Sequence, residues 1–435
     1  MFGLFESQEK KMRVNAANWL EIADKVYHFR RDLLAAPTLA RLEGHRARLK
    51  ALLKEKDSTM KLKLEIEALE PVLKEAGGAI YPKTSLVDNV EFFLVAALVI
   101  LGIRTYFVQP FKIPTNSMWP TYYGMTPEVY TKPADEPGPV ATAVRLVAFG
   151  AFPHRLDAPA DGEVLIPIGG AESRGYIHCK KVGGVSWGVI PTDKYLYTLV
   201  VGEQPVTVKL PVDFDIAWAM SEAFFSDGNP YDAHKFYGEL AARIERGQYV
   251  TALIDGQPLR CIRTGHFVRR GERVMSFDVL TGDQLFVDRF SYNFVKPSVG
   301  SGFVFRTDNI KSPNMQDRTT HQQMEQYYIK RLVGTPGDTL EVKGQQLWRN
   351  GAPITGAEAF EANAHRAGRY PGYVADGMLA PGEQVHVPEH SYYAMGDNSP
   401  NSEDSRFWGY VPYKDAIGRP LFIYFPFTGR WGRAH

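Results

Sequence analysis

Gln109-Pro110-Phe111-Lys112-Ile113-Pro114-Thr115-Asn116-Ser117-Met118-Trp119-Pro120-Thr121 is the stretch on which the reading of this chain turns. Its three prolines within 12 residues forbid a helix and hold the backbone extended and stiff. A serine on such a segment is fixed rather than mobile, although Ser117 taken alone reads more simply as an ordinary loop serine. Directly upstream, Phe92 to Ile103 reads FFLVAALVILGI, without a polar side chain. Continued through Arg104 to Val108, the run has 17 residues, about 25 Å of helix at about 1.5 Å per residue. A hydrocarbon core is about 30 Å thick. The pattern therefore predicts one short transmembrane helix over 89–108, with a buried helix of a soluble domain as the alternative. Arg104 can snorkel to the headgroups, and Tyr106, Phe107 and Trp119 suit the interface. About 90 residues precede the run, so it does not read as a removable signal peptide.

Outward from this point the texture differs on the two sides. Residues 1–88 are rich in Leu, Ala, Lys, Glu and Arg. Leu39, Leu42, Leu49, Leu53, Met60, Leu64, Leu69 and Leu73 fall near helical spacing. Two or three amphipathic helices are expected, one opened by Pro37 and Thr38 and one limited by Pro71. Acidic residues are interspersed throughout, so a solvated face over an apolar stripe is preferred to a nucleic-acid-binding helix. Beyond the span, alternating runs, Gly/Pro turns and β-branched residues recur through most of 140–425. Thr339–Val342 and Leu347–Arg349 read as a hairpin joined by Lys343–Gln346, and Asn350-Gly351 as the next tight turn. A helix is expected around Asp232–Arg246.

Lys plus Arg number 50 and Asp plus Glu 49, a net charge of +1. This excludes a surface that is basic overall and a disordered acidic chain. With only Cys179 and Cys261, a multi-cysteine zinc module and a disulfide-stapled scaffold are excluded too. One bridge or two separate thiols both remain open. No metal-ligand spacing and no phosphate loop is found, and no cofactor is expected.

Two further segments carry chemistry-bearing side chains. Tyr327-Tyr328-Ile329-Lys330-Arg331-Leu332-Val333-Gly334-Thr335-Pro336-Gly337-Asp338 reads as a strand entering a Pro-Gly turn. A lysine desolvated by such apolar neighbours has a lowered pKa and can act as a base. By itself Lys330 reads more simply as an exposed strand lysine. Gly396 to Pro412 reads GDNSPNSEDSRFWGYVP, dense in turn formers and hydrogen-bonding side chains. Such a cluster is costly to bury unless internally paired, for instance through Asp404 and Arg406. Otherwise it is a solvated loop.

Taken together and in this order, the three segments resemble bacterial signal peptidase I, a Ser/Lys-dyad protease family. The serine box PFKIPTNSMWPT is similar to the family's PF-x-IPSGSM-x-PT. YIKRLVGTPGD is similar to YIKRVVGLPGD, and GDNSPNSEDSRFWGYVP to GDNRDNSxDSRxWGxVP. Gly282–Phe290 and the run LEVKGQQLWRNGAPI add two further matches. The resemblance covers roughly 109–125, 280–350 and 390–427.

The resemblance implies Ser117 as nucleophile and Lys330 as general base, with Ser402 orienting the lysine amine. It implies an oxyanion hole from the Thr115 hydroxyl and the Ser117 N–H. Phe111, Ile113, Tyr328 and Ile329 would line shallow pockets for small side chains, as in Ala-x-Ala. Asp404 with Arg406 would brace the lysine loop. It also implies exported preproteins as substrates, membrane lipid as surroundings and the secretion translocon as a possible partner, with no nucleic acid. The setting would be the bacterial cytoplasmic membrane, with the catalytic domain on the exported side. Local charge decides orientation weakly, since Lys74 and Lys83 precede the span and Lys112 follows it.

The chain departs from the family at Thr115-Asn116 and Ser399-Pro400, and above all in about 160 residues between Thr121 and Gly282. That stretch contains VATAVRLVAFGAF, DGEVLIPI, LYTLVVG and VTVKLPV and reads as an inserted β domain outside the catalytic core. The expected fold is a mainly β catalytic domain (109–134 and 279–435) with an inserted β-rich domain (135–278). A helical cytoplasmic region (1–88) and one transmembrane helix (89–108) precede it. Two other readings compete: a self-cleaving Ser/Lys regulator like the SOS-response repressors, and a single-pass envelope binding protein with a decayed site.

Overall fold

The structure is a computed structural model that describes residues 8–169, 173–174, 177–186, 190–225, 233–254, 256–312 and 325–434. Met1–Leu101 form one compact unit and Gly102–His435 another. In the first, α1 (Gln8–Arg30), α2 (Ala36–Lys54) and α3 (Thr59–Ala76) enclose a small core that includes Ala23, Leu42, Leu49, Leu62, Leu69 and Leu73. Met60 and Leu64, expected on the stripe, are instead exposed. Leu62, Ile66, Leu69 and Leu73 repeat at helical spacing and put another face of α3 inward. Pro71 lies within α3 rather than ending it. Burial of Leu69, Val72 and Leu73 on either side offsets the hydrogen bond that proline cannot donate. Pro37 sits in the first turn of α2, where its missing N–H costs nothing.

Helix α4 spans Ser85–Tyr106 and buries none of its side chains. Among the described helices it is long and apolar enough to cross a membrane. It stops at Tyr106, two residues short of the expected end, because Val108 already belongs to the first strand.

That strand, β1 (Val108–Lys112), begins an eight-stranded antiparallel sheet. The others are β2 (Gln284–Asp288), β3 (Gly302–Arg306), β4 (Tyr327–Gly334), β5 (Ser391–Met395), β6 (Val411–Pro412), β7 (Ala416–Phe425) and β8 (Gly432–Arg433). Their order is β1-β2-β7-β3-β4-β5-β6, with β8 beside β7. Two stretches keep an unpaired edge. Among the described residues, β1 pairs only with β2, and the ladder between β4 and β5 begins at Arg331, leaving Tyr327–Lys330 bonded on the β3 side alone. The Thr339–Lys343/Gln346–Arg349 hairpin forms with a two-residue turn, tighter than the four residues expected. Asn350 and Gly351 both take positive φ in the next turn, which Asn and Gly tolerate best.

Between Met125 and Val279 a separate apolar core forms, centred on Val164, Ile166, Tyr197, Leu199, Phe214 and Phe277. A seven-stranded and a three-stranded sheet surround it. The segment is not purely β. VATAVRLVAFGAF, expected as a strand, forms helix α5 (Pro139–Phe149), opened by Pro139 in its first turn and closed by Gly150 at φ 58°. Helices α6 (Ile216–Phe224) and α7 (Ala233–Glu245) follow, the latter where a helix is expected, with Asp232 outside the described residues. Cys179 and Cys261 are both buried, and no disulfide joins them.

Candidate active site

The serine segment is held by backbone contacts that demand glycine. The Ile113 N–H donates to the Asp283 carbonyl at 2.8 Å. A Cβ on the neighbouring Gly282 would lie 1.9 Å from the Ile113 carbonyl oxygen, so no larger residue fits this crossing. Asn116 turns the chain before the serine. Its amide donates to the Met125 carbonyl at 2.8 Å and accepts from the Gly124 N–H at 2.9 Å. Ser117 is thereby fixed from both sides.

Lys330 comes from β4, 213 residues later, and its Nζ donates to Ser117 Oγ at 2.6 Å. The lysine is only 4% exposed. Burial pulls the ammonium's pKa down to about 8, against the weaker opposing pull of Asp404. The neutral amine therefore predominates above about pH 8, where an unperturbed lysine would still be almost wholly charged. If Lys330 is the base, kcat/KM should rise through a single group near this value and level off above it. A profile still climbing towards pH 10.5, or one governed by any histidine, would refute the assignment.

The expected pocket residues do converge. Phe111, Ile113, Thr115, Ser117, Tyr328, Ile329 and Lys330 all line one cleft of about 670 Å³. Thr115 is exposed at this cleft. Asp404 and Arg406 form a buried two-pronged pair, Nε to Oδ1 and Nη2 to Oδ2, each 2.8 Å. Arg406 also donates to the carbonyls of Ser399 (2.7 Å), Val374 (3.0 Å) and Ser402 (3.2 Å), and Asp404 accepts from the Gly396 N–H at 3.0 Å. The pair thus pins the turn that carries Ser402.

Ser402 departs from expectation. Its hydroxyl is buried and makes no hydrogen bond, to Lys330 or to any other described group. It packs instead in the narrow space beside Gly396. A Cβ there would lie 2.2 Å from Ser402 Oγ and 2.4 Å from the Ser117 carbonyl oxygen.

A second ion pair lies outside the expected set. Arg331 donates through Nε and Nη2 to Asp397 at 2.7 and 2.6 Å, with both side chains essentially inaccessible. Thr121 donates to the same carboxylate at 2.5 Å, and Arg331 Nη1 reaches the Gly300 carbonyl at 2.6 Å. The adjacent Asn398 donates from its backbone to the Ser117 carbonyl and from its side chain to the Asn116 carbonyl, both at 3.0 Å. These bonds join the serine segment, the lysine strand and the Gly-Asp-Asn loop. A sequence signal exists, since Arg331 and Asp397 lie inside the quoted boxes, but nothing in it pairs residues 66 positions apart.

Residues 259–425 match the family model "Signal peptidase, peptidase S26". A probable signal peptidase I-1 of Synechocystis is 34% identical over 152 residues, covering 35% of this chain and 66% of that protein. Signal peptidase I P of Bacillus subtilis subsp. natto is 32% identical over 136 residues, covering 31% of this chain and 67% of the relative. A signal peptidase I structure from Enterococcus faecalis aligns with 25% identity over 29% of this chain and 97% of its own, at a TM-score of 0.21. The chain spans about half to two thirds of the length of the curated relatives compared with it. By its family-model match and its curated relatives, the chain belongs to the signal peptidase I family.

Proposed function

We propose that this protein is a membrane-bound serine endopeptidase that removes signal peptides from exported preproteins after small residues of the Ala-x-Ala type. The observation that carries the proposal is the buried 2.6 Å bond between Lys330 Nζ and Ser117 Oγ at the floor of a cleft. Neutral Lys330 takes the serine proton as Ser117 Oγ attacks the scissile carbonyl. The Ser117 N–H and the Thr115 hydroxyl receive the oxyanion. Lys330 then protonates the leaving amine, and the same amine activates the water that releases the acyl group. The free edges of β1 and Tyr327–Lys330 suit an extended substrate added as a strand. Phe111, Ile113, Tyr328 and Ile329 offer it shallow apolar contacts. Ser402 is assigned to bracing the lysine loop together with Asp404 and Arg406.

Incubating the detergent-solubilised full chain with a preprotein, and sequencing the new N-terminus, tests this reading. Cleavage directly after Ala-x-Ala is expected. An intact substrate, or a cut elsewhere, would reject it.

The lipid setting is part of the proposal. Helix α4 anchors the chain, and Ser117 follows closely in sequence after Tyr106, where that helix ends, which keeps the chemistry near the bilayer. Residues 1–88 then face the cytoplasm and 109–435 the exported side. Protease added to intact spheroplasts should digest the C-terminal unit and spare the N-terminal helices. The opposite pattern would reverse the topology.

A further inference from the structure

The cleft has a second wall that the family motifs do not supply. Beside Phe111 and Tyr327 it is also lined by Asp213, Asp215, Ala217, Trp218 and Phe236, all from the inserted segment. Three observations make this wall part of the site rather than a distant neighbour. The Trp218 ring meets Trp119, two residues after the nucleophile, edge-on at 6.3 Å between centroids. Helix α7, which carries Phe236, packs against the 399–401 turn of the Gly-Asp-Asn loop. Trp218 and Phe236 are themselves 6% and 3% exposed, so the wall is firmly backed and shows the cleft only the edges of these two rings. The insert therefore has its own core, yet it does not stand outside the catalytic region, where the sequence reading places it.

The volume is informative. Sites of about 300–1,000 Å³ bury most of a bound ligand, and this one holds about 670 Å³. An extended peptide of a few residues fits a cleft of this size, so it can hold residues beyond the small ones beside the scissile bond. The rings of Phe111, Tyr327, Trp218 and Phe236 give the cleft an apolar lining from both walls. Asp213 is exposed at the insert's side of the cleft.

We propose that the insert is a substrate-selecting wall, in which Trp218 and Phe236 receive a branched aliphatic or aromatic side chain of the preprotein flanking the scissile bond. Asp213 lies close enough to Lys112, in the same cleft lining, to balance its positive charge, so an acidic side chain gains little from that lysine. The proposal rests on the signal peptidase reading and deepens it. It divides the labour: the family motifs perform the chemistry and hold the small residues, while the insert reads one flanking position.

The test uses the full chain in detergent and peptides that share one Ala-x-Ala site. Leu, Ala or Asp is placed at each flanking position in turn, up to about five residues on either side. At one position the Leu peptide should exceed the Ala peptide about tenfold in kcat/KM, the range one apolar contact supplies. Trp218→Ala should reduce that ratio to within about twofold, and Trp218→Phe should restore most of it. Asp213→Asn should raise the Asp:Ala ratio about fivefold. Cleavage without discrimination at any position overturns the wall alone. So does an equal loss on Leu and Ala peptides in Trp218→Ala, the mark of a purely structural residue. Should Trp218→Ala fail to fold, an unchanged Asp:Ala ratio in Asp213→Asn overturns it. A wild-type protein that cuts none of the peptides rejects both this inference and the protease reading.

Discussion

Replacing Ser117 with alanine, or Lys330 with methionine, should lower kcat/KM for preprotein cleavage by about four decades or more. The two side chains share one hydrogen bond of 2.6 Å, and no other described group bonds to either one's reacting atom. Losing either member should therefore cost nearly as much as losing both, because the nucleophile and its base act as a unit. Methionine keeps most of the lysine's length and volume while removing the ammonium. At 4% exposure that ammonium is the costly part of the side chain to bury. The Lys330→Met protein should thus stay folded, and its inactivity should report on chemistry. The double variant separates the possibilities further. If its loss were the sum of two independent losses, Ser117 and Lys330 would not be a dyad. Turnover near the wild-type rate in either single variant would remove the assignment altogether.

Asp397→Ala should be the most destabilising single change near the site, at about 3–5 kcal/mol, the usual cost of leaving one member of a buried ion pair alone. Arg331 would keep a charge that is 2% exposed and lose both of its carboxylate bonds. The Gly300 carbonyl and the Thr121 hydroxyl are too few to satisfy a guanidinium. Loss of activity should accompany the loss of stability, because Asn398, next in sequence, holds the Ser117 carbonyl. A urea titration in detergent measures the effect. The double variant Arg331→Met with Asp397→Leu should recover most of the stability, since an apolar pair of similar volume avoids the desolvation cost. A shift below about 1 kcal/mol for Asp397→Ala would show that the pair is not carrying this junction.

Much of the site is legible because its parts are local in sequence. Pro110 and Pro114 keep the approach to the serine extended, but beyond Pro114 the expected extended segment instead turns, with the Trp119 N–H donating to the Asn116 carbonyl at 3.1 Å and the Tyr122 N–H to the Met118 carbonyl at 3.0 Å. The apolar run into α4 needs only composition to be seen. Asn350-Gly351 writes its own turn. Other features are readable but ambiguous. Val140, Val144 and Val147 suggest a strand because they are β-branched, yet their spacing is helical, and Gly138-Pro139 and Gly150 supply the helix boundaries. In α3, two apolar stripes compete, and packing against α1 and α2 selects Leu62 and Ile66 over Met60 and Leu64.

What the sequence determined by itself, then, is the inventory: which serine, which lysine, which loop, and one helix apolar enough for a bilayer. The helix follows from composition alone, whereas the candidate serine, lysine and loop stand out only because three short boxes, taken together, resemble one family. What only the tertiary structure decided is distance. It set Lys330 Nζ 2.6 Å from Ser117 Oγ across 213 residues, closed Arg331 onto Asp397, and left Ser402 without the bond expected of it. It also carried Trp218 and Phe236 of the insert into the cleft wall. Burial is a property of the whole packed unit, and so is the lowered pKa that burial gives Lys330. No local pattern encodes it, because the groups that exclude water from the lysine come from several separate stretches of the chain.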